Sequence, residues 1–267
     1  LSTDAPTIRI GYYESMDCFP TSSACQRAVR EAITKLKHCS RFQIELIPFV
    51  PPDASRFMWA YKNLSMHRES NAIREEDEDD VVYPITDSKK ESDSSNSLHT
   101  IKSRMNRLIK QSRKISISSV YGCGSTNVFD YQTCVTVMDH YRETFHKRVN
   151  DMKLDAIISP NNALPALPHG TSQDIAICSC IYSSIFSYFG YPSGVVPWTR
   201  VREYEQCYES KIQENNSSFS RKAKYIMIDS VSLPISIQVS ALPNRDKKCL
   251  QVMKLLESMS TFDRFEL

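Results

Sequence analysis

The last third of the chain constrains the fold most, because apolar and polar segments alternate there in a definite order. Ser193–Pro197 and Pro234–Ser240 are short apolar runs with Val and Ile, as is typical of strands buried in a core. Residues 200–231 between them are polar and predict a surface insertion with a helix of its own. Asp246–Met259 has apolar residues at helical spacing and predicts a terminal amphipathic helix.

The first fifty residues predict a strand–helix–strand unit. Thr7–Tyr12 and Gln43–Val50 read as strands, and the helix between them can be capped by Thr21 or Ser22. A long helix between two strands favours parallel pairing of those strands. The apolar residues of this helix should face the core and its basic residues should face solvent. The inward set is Ala24, Ala28, Ile33 and Leu36, and the outward set is Arg27, Arg30, Lys35 and Lys37.

The middle of the chain adds helices and one more strand. Helices are predicted over Ala54–Met66, Phe129–Lys153 and the nearly uncharged Thr171–Phe189, and Asp155–Ser159 predicts a short buried strand. Strands that alternate with helices place the chain in the α/β class, with a mixed β-sheet flanked by helices.

Residues 69–127 predict a variable, partly disordered excursion, because they hold the acidic run Glu75–Asp80 and a serine-rich tract. Within the excursion, His99–Lys114 has the periodicity of a basic amphipathic helix. The favoured interpretation is a solvated helix with one stripe facing the core. The alternative is contact with an anionic membrane surface. The residues that would make this contact are Lys102, Arg104, Arg107 and Lys110.

Composition narrows the partners and the compartment. The 33 basic and 31 acidic residues leave a net charge of only +2. This argues against the strongly positive potential over the whole surface that binds nucleic acids without sequence preference. The nine cysteines are scattered without a CxxC pair, which predicts an intracellular, reducing location. No run of eighteen apolar residues occurs, and the first residues carry neither an initiator Met nor a signal-peptide core. We therefore expect the chain to begin within a larger protein, and the alternative is a processed N-terminus, which would look identical.

Several common enzyme chemistries lack their sequence signatures. No GxGxxG, GxxxxGK[ST], GxSxG or HExxH pattern is found, and we expect no cofactor and no metal. Cys178 and Cys180 are too close for a zinc knuckle and are interpreted as core residues rather than ligands. The turn Gly122–Thr126 could expose amides around Ser125, but without an orienting base nearby a flexible turn is the favoured interpretation.

Six segments in chain order resemble the amidase-signature family of serine hydrolases, and within it the fatty-acid amide hydrolases. They are IRIGYYE from Ile8, QRAVREAITKL from Gln26, ELIPFVPP from Glu45, LDAIISP from Leu154, YPSGVVPWT from Tyr191 and SLPISIQVSALP from Ser232. The resemblance implies that residues 1–267 are the C-terminal part of a single amidase domain.

The same resemblance implies that the catalytic residues lie in an N-terminal half of the same protein. The family uses a Ser–Ser–Lys triad with a Gly/Ser-rich signature, and no segment of this chain matches either, so no catalytic residue is assigned here. What the resemblance does assign is a helix that lines the acyl channel. It places Ile177, Cys180 and Ser184 in contact with substrate.

The leading hypothesis is therefore the substrate side of a hydrolase that cleaves lipid amides or esters through an acyl-enzyme, located in the cytoplasm or on the cytoplasmic face of a membrane. The alternative is a catalytically inactive lipid-binding or membrane-surface remnant of that fold. An anion-binding regulator that uses the basic helix is a third hypothesis, and a homodimer is left open.

Overall fold

The computed structural model describes residues 7–40, 42–73, 128–171, 175, 179–208 and 218–263. The chain forms two compact units, one made of Leu1–Ala54 with Tyr141–Leu267 and the other of Ser55–His140. The predicted membrane-contact residues, Ser125 and Ile177 lie outside the described residues, as does most of the 69–127 excursion.

The first unit is built on a five-stranded mixed sheet. Its strands are β1 (Ile8–Tyr12), β2 (Ile44–Pro48), β3 (Ala156–Pro160), β4 (Ser193–Arg200) and β5 (Pro234–Ala241). Their order across the sheet is β2-β1-β3-β5-β4. β1 pairs in parallel with both β2 and β3, whereas β5 is antiparallel to β3 and to β4. The predicted α/β class, the mixed sheet and the parallel pairing of the first two strands are confirmed.

Six α-helices accompany these strands in the described part of the chain. They are α1 (Ser23–Lys37), α2 (Ser55–Ile73), α3 (Val128–Asp151), α4 (Ile181–Phe189), α5 (Ser218–Met227) and α6 (Asp246–Met259), and a short 3₁₀ helix spans Glu203–Glu205. α6 has the predicted bounds, and Ser22 caps α1 by accepting a hydrogen bond from the Cys25 amide at 3.4 Å. α4 covers the end of the helix predicted over Thr171–Phe189; within the earlier part of that range Ile175 and Ser179 are helical, and residues 172–174 and 176–178 lie outside the described residues.

The second unit contains α2 and the first residues of α3. Phe57 and Tyr61 stack in α2 with ring centroids 6.0 Å apart, and Phe57 is fully buried. Phe57 is therefore a packing residue of this unit.

The two faces of the sheet carry different residues. One face presents Ile10, Ile158, Val239 and Val196, all buried, toward α1 and α6. Burying this apolar surface is the main source of stability on that side of the sheet. The opposite face, which carries most of the polar residues of the strands, is the one that positions the candidate site.

The orientation predicted for Arg27 is wrong, because its side chain is only 12% exposed. Its guanidinium makes a bidentate contact with Glu205, with Nε donating to Oε1 at 2.6 Å and Nη2 to Oε2 at 2.9 Å. The other N–H groups donate to Glu31 Oε1, Thr199 Oγ1 and the Arg200 carbonyl at 3.0, 2.8 and 2.7 Å. The partner carboxylate lies 178 residues along the chain, so helical periodicity could not reveal it.

Glu205 is 3% exposed, and burial alone would raise the pKa of its carboxyl. The Arg27 guanidinium and the Arg202 amide, which donates to Oε2 at 2.9 Å, outweigh burial, and the net pKa is lowered. A lowered carboxyl pKa stabilises the fold above the pKa of the unfolded chain. This contribution is lost as the pH falls through the lower pKa of the folded state.

Replacing Arg27 by Ala should lower the free energy of unfolding by about 3 kcal/mol, because it leaves a buried carboxylate without its cation. The matched control is Arg30→Ala on the same helix, whose side chain is 55% exposed and pairs with Glu14. That change should cost less than about 1 kcal/mol. Urea denaturation of both variants measures the difference, and equal costs would contradict a buried pair.

Candidate functional site

The candidate site lies on the α4 side of the sheet, where polar residues form rows across the strands. Strand register places Ser159 of β3 beside Gln238 of β5, and Gln238 beside Val195 of β4. One pair further along, Ser240 of β5 lies beside Ser193 of β4. The first row therefore crosses β3, β5 and β4 and ends at the apolar Val195, and the second joins β5 and β4.

These polar groups hydrogen-bond to one another and to backbone carbonyls. The hydroxyls of Ser193 and Ser240 lie 2.8 Å apart, and the Gln238 side-chain amide donates to Ser240 Oγ and to the Tyr182 carbonyl, both at 3.3 Å. Ser159, Gln238 and Ser240 are buried, whereas Ser193 and Val195 are exposed on edge strand β4. The rows thus run from the core of the unit to its surface.

Tyr13, which directly follows β1, faces the buried end of this arrangement. It is 5% exposed, and its ring stacks on that of Tyr182 with centroids 6.3 Å apart. Burial raises the pKa of the Tyr13 hydroxyl, and the neighbouring Ser159 side chain offsets part of this rise. Within the described residues the Tyr13 hydroxyl has no hydrogen-bond partner.

Helix α4 covers this face of the sheet with an apolar side and turns a polar side away from it. Ile181, Tyr182, Ile185, Phe186 and Phe189 are buried. The helix ends at Gly190, whose left-handed backbone with φ of 68° favours glycine, and the Tyr191 amide then donates to the Phe186 carbonyl at 3.0 Å.

An aromatic cluster holds the buried side of α4 in place. Phe145 of α3 contacts Phe186, Phe189 and Tyr191 with centroid distances of 5.8, 5.1 and 6.2 Å. His146 stacks on Tyr191, and its Nδ1 lies 2.9 Å from the Tyr191 hydroxyl. Burial, aided by Arg142, lowers the pKa of His146, so its neutral form is favoured.

The side of α4 that turns away from the sheet is formed by Cys180, Ser183, Ser184 and Ser187, which we call the serine face. Ser183 and Ser184 each donate their hydroxyl to the Cys180 carbonyl at 3.0 Å, and Ser187 donates to the Ser183 carbonyl at 3.3 Å. These hydroxyls satisfy their donors within their own helix. The serine face is therefore small, uncharged and only weakly polar toward anything that packs against it.

The groups described here do not form a nucleophile–base pair. The hydroxyls of Ser159, Ser193 and Ser240 contact backbone, Gln238 or one another, and none reaches a Lys or His side chain in the described residues. Burial raises the pKa of the Cys180 thiol, which disfavours the reactive thiolate. The described residues also contain no group of three or more side chains suited to hold a metal ion. The polar rows and the serine face are therefore suited to contact with an uncharged group.

Comparison with known proteins decides the family, since the Amidase family model matches residues 2–250. The chain belongs to the Amidase family. The resemblance to this family inferred from the six sequence segments is confirmed.

The relatives of this Amidase-family chain are longer than it is. Fatty acid amide hydrolase 1 of Caenorhabditis elegans is 23% identical over 260 residues, an alignment that covers 94% of this chain and 42% of that relative. A solved fatty acid amide hydrolase structure superposes with a TM-score of 0.62 at 17% identity and covers 98% of this chain and 42% of the other. A bacterial aryl acylamidase of the amidase-signature enzymes gives a TM-score of 0.51 at 14% identity, with 95% and 43% covered. The structural matches show a shared fold.

Two of the three predicted substrate residues can be located. Cys180 and Ser184 lie one turn apart on the serine face, joined by the hydrogen bond from Ser184 Oγ to the Cys180 carbonyl at 3.0 Å. Ile177 lies outside the described residues. The role of all three residues in substrate binding stays a prediction.

Sequence reasoning did not single out Tyr13, Ser159 and Gln238 as one arrangement. A signal was available in β5, where Gln238 interrupts an apolar run, and in β3, where Ser159 does the same. What the sequence did not contain was the strand register that brings these positions together.

Replacing Tyr13 by Phe should leave the free energy of unfolding unchanged or raise it by up to about 1 kcal/mol, because the change removes a buried hydroxyl that lacks a partner among the described residues. Replacing Tyr182 by Phe should lower it by about 2 kcal/mol, because that hydroxyl makes two hydrogen bonds, with the Met16 amide and the Phe19 carbonyl. Thermal and urea unfolding compare the two variants. Equal losses in both would show that the Tyr13 hydroxyl has a stabilising partner.

Proposed function

We propose that this chain is the C-terminal, substrate-binding portion of an amidase-signature serine hydrolase that cleaves lipid amides or esters. The nucleophile, its base and the oxyanion donors would come from an N-terminal half of the same protein. Two observations support this division: family membership, and the fact that the chain spans 42% of the length of the curated relative it matches.

The observation that carries the proposal is the serine face of α4. An acyl channel needs a wall that offers no unpaired donor to a hydrocarbon chain, because a buried donor without a partner destabilises the complex. Ser183, Ser184 and Ser187 meet this condition, since each hydroxyl donates back to a carbonyl of its own helix or its cap. Cys180 adds a small thiol that burial keeps protonated, because burial raises its pKa.

The reaction would follow the two-step course of acyl transfer. A serine oxygen supplied by the other half attacks the substrate carbonyl, the amine or alcohol leaves with a proton, and water then releases the acid. In this scheme the residues of the present chain bind and orient the acyl group. Rows of Ser and Gln along the sheet would hold the wall of the channel in a fixed position.

We also propose that the protein is intracellular and that Lys102, Arg104, Arg107 and Lys110 allow contact with an anionic membrane surface. The support is their spacing in the sequence alone, because these residues lie outside the described part of the chain. Within the described residues, no helix combines the length and the apolar character that crossing a bilayer requires.

The direct test is labelling with a fluorophosphonate probe of serine hydrolases. The protein expressed from its natural gene should label, and the label should be lost in the presence of a long-chain fatty acyl amide. The 267-residue chain run beside it should not label.

Two outcomes would contradict the proposal. Labelling of the 267-residue chain alone would reveal a nucleophile within it, with Ser125 tested first. Failure of both proteins to label would favour the alternative of a lipid-binding remnant without catalytic activity.

A further inference from the structure

The loop between β1 and α1, residues 13–22, is held by the hydroxyl groups of two buried tyrosines from distant parts of the chain. The Tyr182 hydroxyl of α4 accepts a hydrogen bond from the Met16 amide at 2.8 Å and donates to the Phe19 carbonyl at 2.6 Å. Tyr182 is fully buried. The loop therefore has a fixed position relative to the first turn of α4.

The second tyrosine reaches the same loop from the insertion after β4. The Tyr208 hydroxyl donates to the Pro20 carbonyl at 2.7 Å, and Tyr208 is 2% exposed. Phe19 and Pro20 are consecutive, so adjacent carbonyls of one loop bind hydroxyls from two separate segments. Both tyrosines therefore bind one continuous stretch of backbone.

The segment that carries Tyr208 is itself fixed. We call residues 201–208 the arm. The Val201 amide donates a hydrogen bond to the Leu233 carbonyl at 3.0 Å, and the Val201 carbonyl accepts one from the Ser232 amide at 2.9 Å. Four residues further on, the bidentate contact of Glu205 with Arg27 ties the arm to α1. The arm therefore holds Tyr208 in a defined position through contacts that do not involve the loop.

We propose that the arm positions α4 through the β1–α1 loop, and that Tyr208 is a positioning residue for the serine face. The order of contacts is Arg27 to Glu205, Tyr208 to Pro20, and Phe19 to Tyr182. The role of Tyr208 in substrate binding rests on the proposed function, because it assumes that the serine face contacts substrate. The coupling between the arm and α4 is inferred from the hydrogen bonds alone.

Hydrogen–deuterium exchange tests the coupling without any activity measurement, in the protein expressed from its natural gene. Tyr208→Phe removes one hydroxyl and should speed exchange about tenfold in peptides covering residues 14–21 and the first turn of α4. Peptides from β3 and β5 should keep their protection. The matched control is Tyr204→Phe in the same arm, since Tyr204 is 69% exposed and its hydroxyl contacts only Arg202 at 2.8 Å among the hydrogen bonds described.

A second variant alters the first contact in this order, between Arg27 and Glu205. Arg27→Lys keeps the charge but cannot make the bidentate contact with Glu205, so it should speed exchange in the same peptides. If either variant changes only residues 201–208, the arm is anchored without acting on α4, and the proposal is overturned.

Kinetics of the same variants test the positioning role. Tyr208→Phe should raise KM for a long-chain fatty acyl amide severalfold while kcat stays within about twofold, because the change affects binding and leaves the reacting groups in place. Tyr204→Phe should change neither constant. Faster loop exchange with an unchanged KM would overturn the positioning role. Absence of amidase activity in the wild-type protein would instead contradict the proposed function. The hydrogen–deuterium exchange data would still test the coupling between the arm and α4.

Discussion

The rest of the structure depends on strand β3, which pairs differently on its two sides. Its five residues, Ala156–Pro160, are all buried, and the strand is parallel to β1 and antiparallel to β5. A buried backbone must have its amides and carbonyls hydrogen-bonded, and β3 meets this requirement only when both neighbours are present. The strand therefore joins the N-terminal strand–helix–strand unit to the C-terminal strands in one sheet.

The register around β3 also decides which residues face α4. Because side chains alternate along a strand, Ile158 faces the layer of α1 and α6, whereas Ser159 faces α4. A shift of one residue would exchange these positions and bring Ser159 against an apolar layer. The same register aligns Ser159 with Gln238, so the polar row and the apolar core are two consequences of one pairing.

The sequence predicted the fold well where local patterns determine it. The bounds of α6, the cap at Ser22 and the parallel pairing of the first two strands follow from periodicity, capping chemistry and connection length. Arg27 was assigned to the wrong environment because helical periodicity cannot identify a partner in the 3₁₀ helix that ends at Glu205. The polar rows were missed for a related reason, since each serine looks like an isolated exception within its own strand. Long-range register, which the sequence does not display, brings these residues side by side.

Photo-crosslinking of the protein expressed from its natural gene tests most directly whether α4 contacts substrate. A long-chain fatty acyl amide carrying a diazirine midway along its acyl chain would be activated by light, and the adducts located by mass spectrometry. Our account predicts adducts within residues 177–188, on the serine face, and their loss when excess unmodified amide competes. Competable adducts confined to other segments, with none on α4, would contradict it.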